Sequence, residues 1–232
     1  MSTITASHVI AVFGATGNQG AGVIQALIHS RTPDGGLWHV RGVTRDPSSP
    51  KAKKFLSDHQ TSDNRLSLIA GDAYDRDSLQ IAFAGAYGVF AMTSETHMGK
   101  ILEKDEEMKH EIEAGQNMVL AAEECGVKHF IFSSLPDMVS ATGGRFVNIH
   151  HMNNKHEVEK FARERLSGGV TCLIPGLYHS SAAQSCTDSG LFCIGFFYTN
   201  LRWPQYSIRR CEFGLQHPDL TPFKVQANMA IW

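Results

Sequence analysis

The chain has 232 residues, of which 42% are hydrophobic and 19% charged, and its formal net charge is −2. This composition is typical of a globular protein with one sizeable core and excludes a disordered or fibrous chain. The near-neutral charge offers no electrostatic argument for nucleic acid or an anionic membrane as a partner.

The start of the chain has no basic stretch followed by a long apolar run, so we expect no signal peptide. The longest apolar stretch, residues 190–198, is too short to span a bilayer. The number of cysteines is odd and no Cys-x-x-Cys pair occurs, which indicates reduced thiols. They are Cys125, Cys172, Cys186, Cys193 and Cys211. These features favour a cytoplasmic protein.

Short apolar runs alternate with helical patterns over the first 176 residues. The runs predict strands at 8–13, 38–44, 66–70, 88–93, 129–133 and 170–174. The patterns between them predict helices at 20–30, 51–58, 75–84, 103–125 and 156–166. We expect 103–125 to be the longest helix, with Met108, Ile112, Val119 and Ala122 on its apolar side. The alternation predicts an α/β fold, a doubly wound parallel Rossmann sheet with helices on both faces.

The first predicted strand runs directly into a loop with glycines at every third position, Gly14, Gly17 and Gly20. Gly14 permits a tight turn out of the strand, and Gly17 lets the backbone approach a pyrophosphate. Gly20 allows the following helix to pack closely. Because a strand precedes the loop and a helix follows it, the pattern predicts a dinucleotide-binding site rather than a plain turn.

The end of the second predicted strand bears on which dinucleotide binds. Arg45 there is suited to pair with the 2′-phosphate of NADP, and Lys51, Lys53 and Lys54 add positive charge. Asp46 argues the other way, since an acid at this place bonds the ribose 2′-hydroxyl of NAD. We expect NADP as the cofactor, with NAD as the alternative. These basic residues can also be an ordinary solvated surface without a role in binding.

Several segments, taken in order, carry a resemblance to a known family. They are residues 12–20, 43–47, 71–72, 85–90, 127–134 and 154–159. With these segments the chain resembles the NmrA-like family, a branch of the atypical short-chain dehydrogenases, over residues 8 to about 178. The resemblance implies an NAD(P)-binding Rossmann domain.

The resemblance also implies roles for individual residues. The pyrophosphate loop would consist of Gly14, Ala15, Thr16, Gly17, Asn18, Gln19 and Gly20. Arg45 would bind the 2′-phosphate, Asp72 and Ala73 would lie beside the adenine, and Thr93 and Ser94 would lie near the cofactor ribose. Lys155 looks like the lysine that bonds the nicotinamide ribose. From the residues alone it is placed between the fifth strand and a helix, where it can hold positive charge near developing negative charge.

The chain departs from the wider dehydrogenase family four residues before that lysine. Ordinary members have a tyrosine there as proton donor, whereas this chain has His151. A histidine titrates near neutral pH and can donate a proton, although it can equally well be an ordinary residue at a helix start. Together with His150 and His156 it suggests metal, but no acid or cysteine completes a ligand set at the usual spacing, so we expect no metal.

The regular alternation ends after Pro175-Gly176-Leu177-Tyr178. We therefore divide the chain into a Rossmann domain at 1–178 and an irregular substrate-side region at 179–232. Residues 179–195 do not resemble the family, and 196–201 look like the normal continuation of the turn. We interpret 179–195 as an insertion and the small C-terminal lobe as incomplete.

Two functions remain open on the sequence. The first is an NADP-dependent oxidoreductase that reduces a small carbonyl, quinone or related metabolite, with Lys155 as the central residue and His151 or a water as the proton source. The second is a redox sensor or transcriptional co-regulator, which reads the NAD(P) ratio for a protein partner without turnover and can work in the nucleus. Retention of Lys155 and Ser133-Ser134 favours the first; the missing tyrosine and shortened lobe favour the second.

Overall fold

The computed structural model of the protein describes residues 8–175 and the backbone of three short strands at 196–198, 209–211 and 227–229. The predicted insertion at 179–195 and most of the region 179–232 lie outside the described residues. Of the five cysteines, Cys125 and Cys172 are free thiols, as expected, and the side chains of the others lie outside this part of the chain.

A seven-stranded sheet forms the centre of the fold. Its strands are β1 (Val9–Phe13), β2 (His39–Thr44), β3 (Leu66–Ala70), β4 (Gly88–Ala91), β5 (His129–Ser133), β6 (Gly169–Ile174) and β7 (Phe196–Tyr198). They lie in the order β3-β2-β1-β4-β5-β6-β7. The first six are parallel, and β7 pairs antiparallel with β6. A separate antiparallel pair joins β8 (Arg209–Cys211) to β9 (Ala227–Met229). The predicted doubly wound Rossmann sheet is confirmed.

Helices connect the strands. They are α1 (Asn18–Ile28), α2 (Pro50–His59), α3 (Arg76–Phe83), α4 (Asp105–Met108), α5 (His110–Glu124), α6 (Met138–Ala141) and α7 (His150–Arg165). Local chemistry explains where two of them begin. The Ser49 hydroxyl accepts a hydrogen bond from the amide of Ala52, and Pro50 occupies the first turn of α2. The Asp75 carboxylate accepts from the amides of Asp77 and Ser78 and so caps α3.

The core has two layers, one on each face of the sheet. One contains Val12, Val40, Trp38 and, from α1, Ile24 and Ile28, with residues of α2 packed against it. The other joins the sheet to α3, α5 and α7, and its large buried members include Phe83, Met118, Phe130, Phe132 and Val158. Helices on both faces were predicted, and burial of both faces explains why the strands are nearly continuous apolar runs.

Two predicted helices differ from the observed ones. The helix predicted at 103–125 is interrupted at Lys109, which separates the single turn of α4 from α5. The helix predicted to begin at His156 begins at His150, so Lys155 lies within α7 and not between a strand and a helix. The expectation failed because the buried side of the first turns of α7 includes Asn154 and Lys155, which give no apolar periodicity.

The order of the strands determines where a ligand can bind. The chain moves outward from β1 through β2 to β3 on one side, then returns to β4 and moves outward to β6 on the other. Adjacent loops therefore diverge between β1 and β4, and in open α/β sheets this divergence forms a binding crevice at the carboxyl ends of the strands. Within the described ranges, no helix combines the length and apolar character needed to cross a membrane.

Candidate cofactor and active site

The glycine loop follows β1 at this crevice. Gly14 has a φ of +71°, a conformation that favours glycine, and its carbonyl accepts a hydrogen bond from the amide of Gly17 at 2.9 Å. A Cβ on Gly20 would lie 2.3 Å from the Gly14 oxygen, so only glycine allows α1 to lie this close to the loop. The tight turn predicted for Gly14 and the close packing predicted for Gly20 agree with this geometry.

The helix after the loop begins at Asn18, earlier than predicted, and Gly17 is its N-cap without a side-chain capping bond. The first amides of a helix have no acceptor within it, and the helix dipole places partial positive charge there. Asn18, Gln19 and Gly20 form this first turn, with Ala15 and Thr16 in the preceding turn. The arrangement is suited to the phosphate groups of a dinucleotide.

Arg45 lies just after β2, exposed at the mouth of the crevice, and its guanidinium contacts the sulfur of Met98 at 2.8 Å. Asp46 is engaged locally: one carboxylate oxygen accepts from the amide and hydroxyl of Ser48, at 2.8 and 2.6 Å. These bonds lower the pKa of the Asp46 carboxyl. Of the lysines on α2, Lys54 pairs with Asp58. Arg45 directly follows Thr44, the last residue of β2.

The loop after β3 contains the predicted adenine-side residues. Asp72 accepts a hydrogen bond from the amide of Tyr74, and the carbonyl of Ala73 accepts one from the Asn117 side chain at 3.0 Å. Tyr74 stacks on His97 with ring centroids 4.5 Å apart. Its hydroxyl lies 2.6 Å from Nδ1 of His110, and partial burial raises its pKa to about 12. The loop is thereby tied to the segment after β4.

The Lys155 ammonium group is buried at the carboxyl ends of β4 and β5, with only 3% of the residue exposed. It donates to the Thr93 carbonyl, the Thr93 hydroxyl and the Ser133 carbonyl, at 3.2, 3.1 and 3.0 Å. Its Nζ also lies 5.4 Å from the centre of the Phe132 ring. The two residues predicted near the cofactor ribose differ in their surroundings. Thr93 is buried and belongs to this hydrogen-bond network, whereas Ser94 is exposed.

Burial lowers the pKa of Lys155 from its ordinary 10.5 to about 8, and the nearby Glu111 carboxylate opposes this shift. The Glu111 oxygen lies 3.7 Å from Nζ. A lysine pKa lowered by burial is common for groups at functional sites. The predicted importance of Lys155 therefore has a physical basis in its surroundings.

Glu111 links the other members of the site and was not singled out from the sequence. It is fully buried, and its two oxygens accept from the Thr93 hydroxyl at 2.6 Å and from Nδ1 of His151 at 2.8 Å. The available signal was periodicity. Glu111 has the same helical phase as the buried residues Gly115, Met118 and Ala122 of α5, where an acid is unexpected.

His151 lies in the first turn of α7, and its side chain is 30% exposed. It lines a cavity of about 350 Å³ together with Glu95, Met108, Glu111, Asn148, Ile149, His150 and Asn154. The Asn154 side chain donates to the Met108 carbonyl at 2.7 Å and so fixes α7 against the end of α4. His151 therefore borders a space that a small molecule can enter.

Two observations test whether a dinucleotide fits. The Ser133 hydroxyl is buried and has no hydrogen-bond partner among the described residues, which leaves a polar group at the end of β5 for a ligand to satisfy. The glycine loop supplies the second, because Gly20 lets the first turn of α1 lie against the Gly14 carbonyl and so brings the free amides of that turn to the crevice. The residues present therefore fit the pyrophosphate and ribose of such a cofactor.

The three histidines of α7 each lie beside a carboxylate. His150 is 3.3 Å from Asp105, His156 is 4.0 Å from Asp137, and His151 contacts Glu111. Over the part of the chain that the structure covers, no group of three or more potential ligands is close enough to hold a metal ion.

The chain is similar to several curated proteins. The NmrA-like family domain-containing oxidoreductase malD of Malbranchea aurantiaca is 29% identical over 196 residues, which cover 81% of this chain and 53% of malD. The corresponding oxidoreductase FrzB of Cladobotryum sp. is 33% identical over 158 residues, covering 68% of this chain and 43% of FrzB. The chain thus spans about half the length of the curated relatives it matches.

Solved structures share the fold. Triphenylmethane reductase of Citrobacter sp., complexed with NADP(H), superposes with a TM-score of 0.54 at 23% identity, covering 78% of this chain and 55% of the reductase. The NADPH-dependent quinone oxidoreductase QOR2 of Escherichia coli gives a TM-score of 0.54 at 22% identity, covering 79% and 55%. The model of the NmrA-like family matches residues 6–191, most of the chain. This protein therefore belongs to the NmrA-like family.

Proposed function

We propose that the protein is an NADP-dependent oxidoreductase that reduces a small carbonyl compound or quinone. One observation carries the proposal: a buried ammonium group and an imidazole paired with a carboxylate lie at the carboxyl ends of β4 and β5, next to the glycine loop after β1. Such a combination of cofactor cradle, cation and titratable donor is what reduction of a carbonyl requires.

The similar proteins and solved structures support an oxidoreductase that uses a nicotinamide cofactor. The curated relatives are named oxidoreductases, and the two solved neighbours are an NADP(H) complex of a reductase and an NADPH complex of a quinone oxidoreductase. When bound, the nicotinamide would supply the hydride. The first turn of α1 and the loop from Gly14 to Gly20 would hold its pyrophosphate.

Preference for NADP rests on Arg45 and Asp46. Arg45 is exposed and contacts only a thioether among the contacts described for it, so its guanidinium is available for the two-pronged pairing that a phosphate offers. Asp46 uses one oxygen to bind Ser48, which weakens the argument that it binds a ribose hydroxyl. The positive charge of Arg45 after β2 therefore favours binding of the 2′-phosphate that distinguishes NADP from NAD.

Lys155 would act through its charge. A carbonyl oxygen gains negative charge as hydride arrives at the carbon, and a buried cation nearby stabilises that charge more strongly than it would in water. His151, on the wall of the 350 Å³ cavity, would supply the proton that the oxygen needs. Thr93 and Ser133 hold the ammonium group in place.

The test is a titration with NADPH and NADH, followed by ligand fluorescence and thermal shift, because a ligand that binds only the folded state raises its apparent stability. We expect tighter binding of NADPH. Arg45→Ala should weaken NADPH binding about tenfold or more, the value of a lost charge-assisted bond, while NADH binding stays unchanged. Lys128→Ala is the control, because this exposed lysine directly precedes β5 and so lies at the opposite end of the parallel sheet.

Turnover is tested separately by the oxidation of NADPH with a panel of quinones and aldehydes. Oxidation by any of them supports the reductase. Binding of NADPH without oxidation of any compound would instead favour the redox sensor, and absence of binding of either dinucleotide would contradict the proposal.

A further inference from the structure

We propose that Glu111 is a positioning residue that fixes His151 as the proton donor, in the place where related dehydrogenases use a tyrosine. This inference rests on the proposed reductase function and goes beyond it, because it names the group that orients the proton donor and the ring nitrogen that donates. The observation behind it is the 2.8 Å contact between the Glu111 carboxylate and Nδ1 of His151.

The contact determines the tautomer of the imidazole. An ionised carboxylate only accepts hydrogen bonds, so Nδ1 of His151 must carry the proton that it shares with Glu111. The remaining ring nitrogen, Nε2, then has a lone pair in the neutral ring and a proton in the charged ring. No other hydrogen bond of this ring occurs among the described residues, and the ring lines the 350 Å³ cavity.

The direction of the neighbouring hydrogen bonds keeps Glu111 an acceptor. Lys155 donates to the Thr93 hydroxyl at 3.1 Å, and the single proton of that hydroxyl is then directed to Glu111 at 2.6 Å. Two polar neighbours of this fully buried carboxylate, the Thr93 hydroxyl and the Lys155 ammonium group, are thus donors whatever the tautomer of His151. Glu111 also lines the cavity, but both of its oxygens are already engaged by protein donors, so its role is to orient a donor.

The reaction balances with His151 as the acid. Hydride leaves the reduced nicotinamide of NADPH for the carbonyl carbon, and the electron pair of the C=O bond moves onto oxygen. That oxygen takes the proton from Nε2 of the His151 imidazolium, which gives an alcohol and neutral imidazole. Glu111 stabilises the imidazolium before the step, and solvent in the cavity restores its proton afterwards.

The experiment uses the full chain with NADPH, and 9,10-phenanthrenequinone and 4-nitrobenzaldehyde as probes. His151→Ala should lower kcat about 100-fold, the usual contribution of a general acid, while the Kd for NADPH stays within about twofold. Added imidazole should restore at least part of the lost rate. In the double variant that combines His151→Ala with Glu111→Gln, added imidazole should restore none of the rate, because the carboxylate that orients the imidazole is gone. His156→Ala, on the same helix and beside Asp137, is the control and should leave kcat unchanged.

A second measurement does not depend on turnover. Nitrogen NMR of the imidazole should show the neutral ring of the wild type protonated on Nδ1, and Glu111→Gln should shift the proton toward Nε2. Loss of stability alone would not move the proton in this way. The His151 side chain is 30% exposed, so His151→Ala avoids the folding risk of a change at buried Glu111.

The outcomes separate the two proposals. NADPH oxidation that survives His151→Ala, or a neutral His151 protonated on Nε2 in the wild type, overturns this inference and leaves the reductase intact. A wild-type chain that oxidises no NADPH with either probe overturns the reductase function and this inference with it.

Discussion

Gly115 of α5 lies against Val158 of α7 so closely that a Cβ on the glycine would come within 2.3 Å of a valine methyl carbon. Glu111 lies one turn before Gly115 on α5, and Lys155 lies one turn before Val158 on α7. The missing side chain therefore sets the separation of the two helices. It brings the carboxylate and the ammonium group to 3.7 Å from each other.

Gly115→Ala should lower the free energy of unfolding by about 1–3 kcal/mol, since the stiff Val158 side chain cannot move away without disturbing the packing of the helices. The denaturant midpoint measures this. Val158→Ala removes the obstructing methyl groups, so Gly115→Ala should be much less harmful in that background. Equal losses in both backgrounds would contradict the packing explanation.

Gly20→Ala should abolish dinucleotide binding, because its Cβ would lie 2.3 Å from the backbone oxygen of Gly14 and the loop must shift. Gly22 provides the control within the same helix: a Cβ there has no atom within 4 Å. Gly22→Ala should stabilise the protein by about 0.5–1 kcal/mol through helix propensity alone. Calorimetric titration of both variants with NADPH measures the difference in binding. Normal binding by Gly20→Ala would refute the proposal that the loop from Gly14 to Gly20 holds the pyrophosphate.

The stability of the protein should depend on pH through Lys155. Its pKa is lowered to about 8 by burial, against 10.5 in the unfolded chain. Between these values the unfolded state binds more protons than the folded state, so the free energy of unfolding rises with pH across this window; below about 8 both states are protonated and the contribution is constant. The wild type should therefore gain stability relative to Lys155→Met between pH 7.5 and 10. Urea melts at both pH values measure the difference, and a constant difference would show that the lysine titrates normally.

The start of α3 offers a local test. Asp75→Ala removes the acceptor for the amides of Asp77 and Ser78 and should cost about 1 kcal/mol. Asp75→Asn keeps an N-capping oxygen without the charge and should lose far less. The thermal unfolding midpoints of the two variants separate the contribution of the capping hydrogen bonds from that of the negative charge. If Asp75→Asn lowers the midpoint as much as Asp75→Ala, the charge and not the hydrogen bonding stabilises this helix.

Most of the sheet could be predicted because its strands are buried on both faces and the signal is local. The run Leu66–Ala70 was predicted with its observed bounds, and the glycine spacing identified the loop. The start of α7 was missed for the opposite reason. Its buried face near the site is polar, and its polar groups are satisfied by partners far away in sequence, such as the Met108 carbonyl for Asn154.

The site shows the same division. Lys155 was singled out from the sequence by its resemblance to a known position, and His151 because it replaces the usual tyrosine. Glu111 was missed because a charged residue on a helix is usually solvated. The packing of α5 against α7 shows that this acid is enclosed. Sequence periodicity could have found it, since Glu111 and Gly115 share the phase of the core residues.

The three hydrogen bonds of Lys155 have a consequence for how a cofactor is recognised. All the protons of its ammonium group already have acceptors, two of them on Thr93. A ribose hydroxyl can therefore bind the ammonium group only by replacing one of these three oxygens as acceptor. The most easily replaced oxygen is one of the two on Thr93, because the other Thr93 oxygen keeps its hydrogen bond to Lys155. The net gain from such an exchange is small. Affinity must then come mainly from the phosphate end of the ligand, which leaves Lys155 free to respond to charge that arises only while the reaction proceeds.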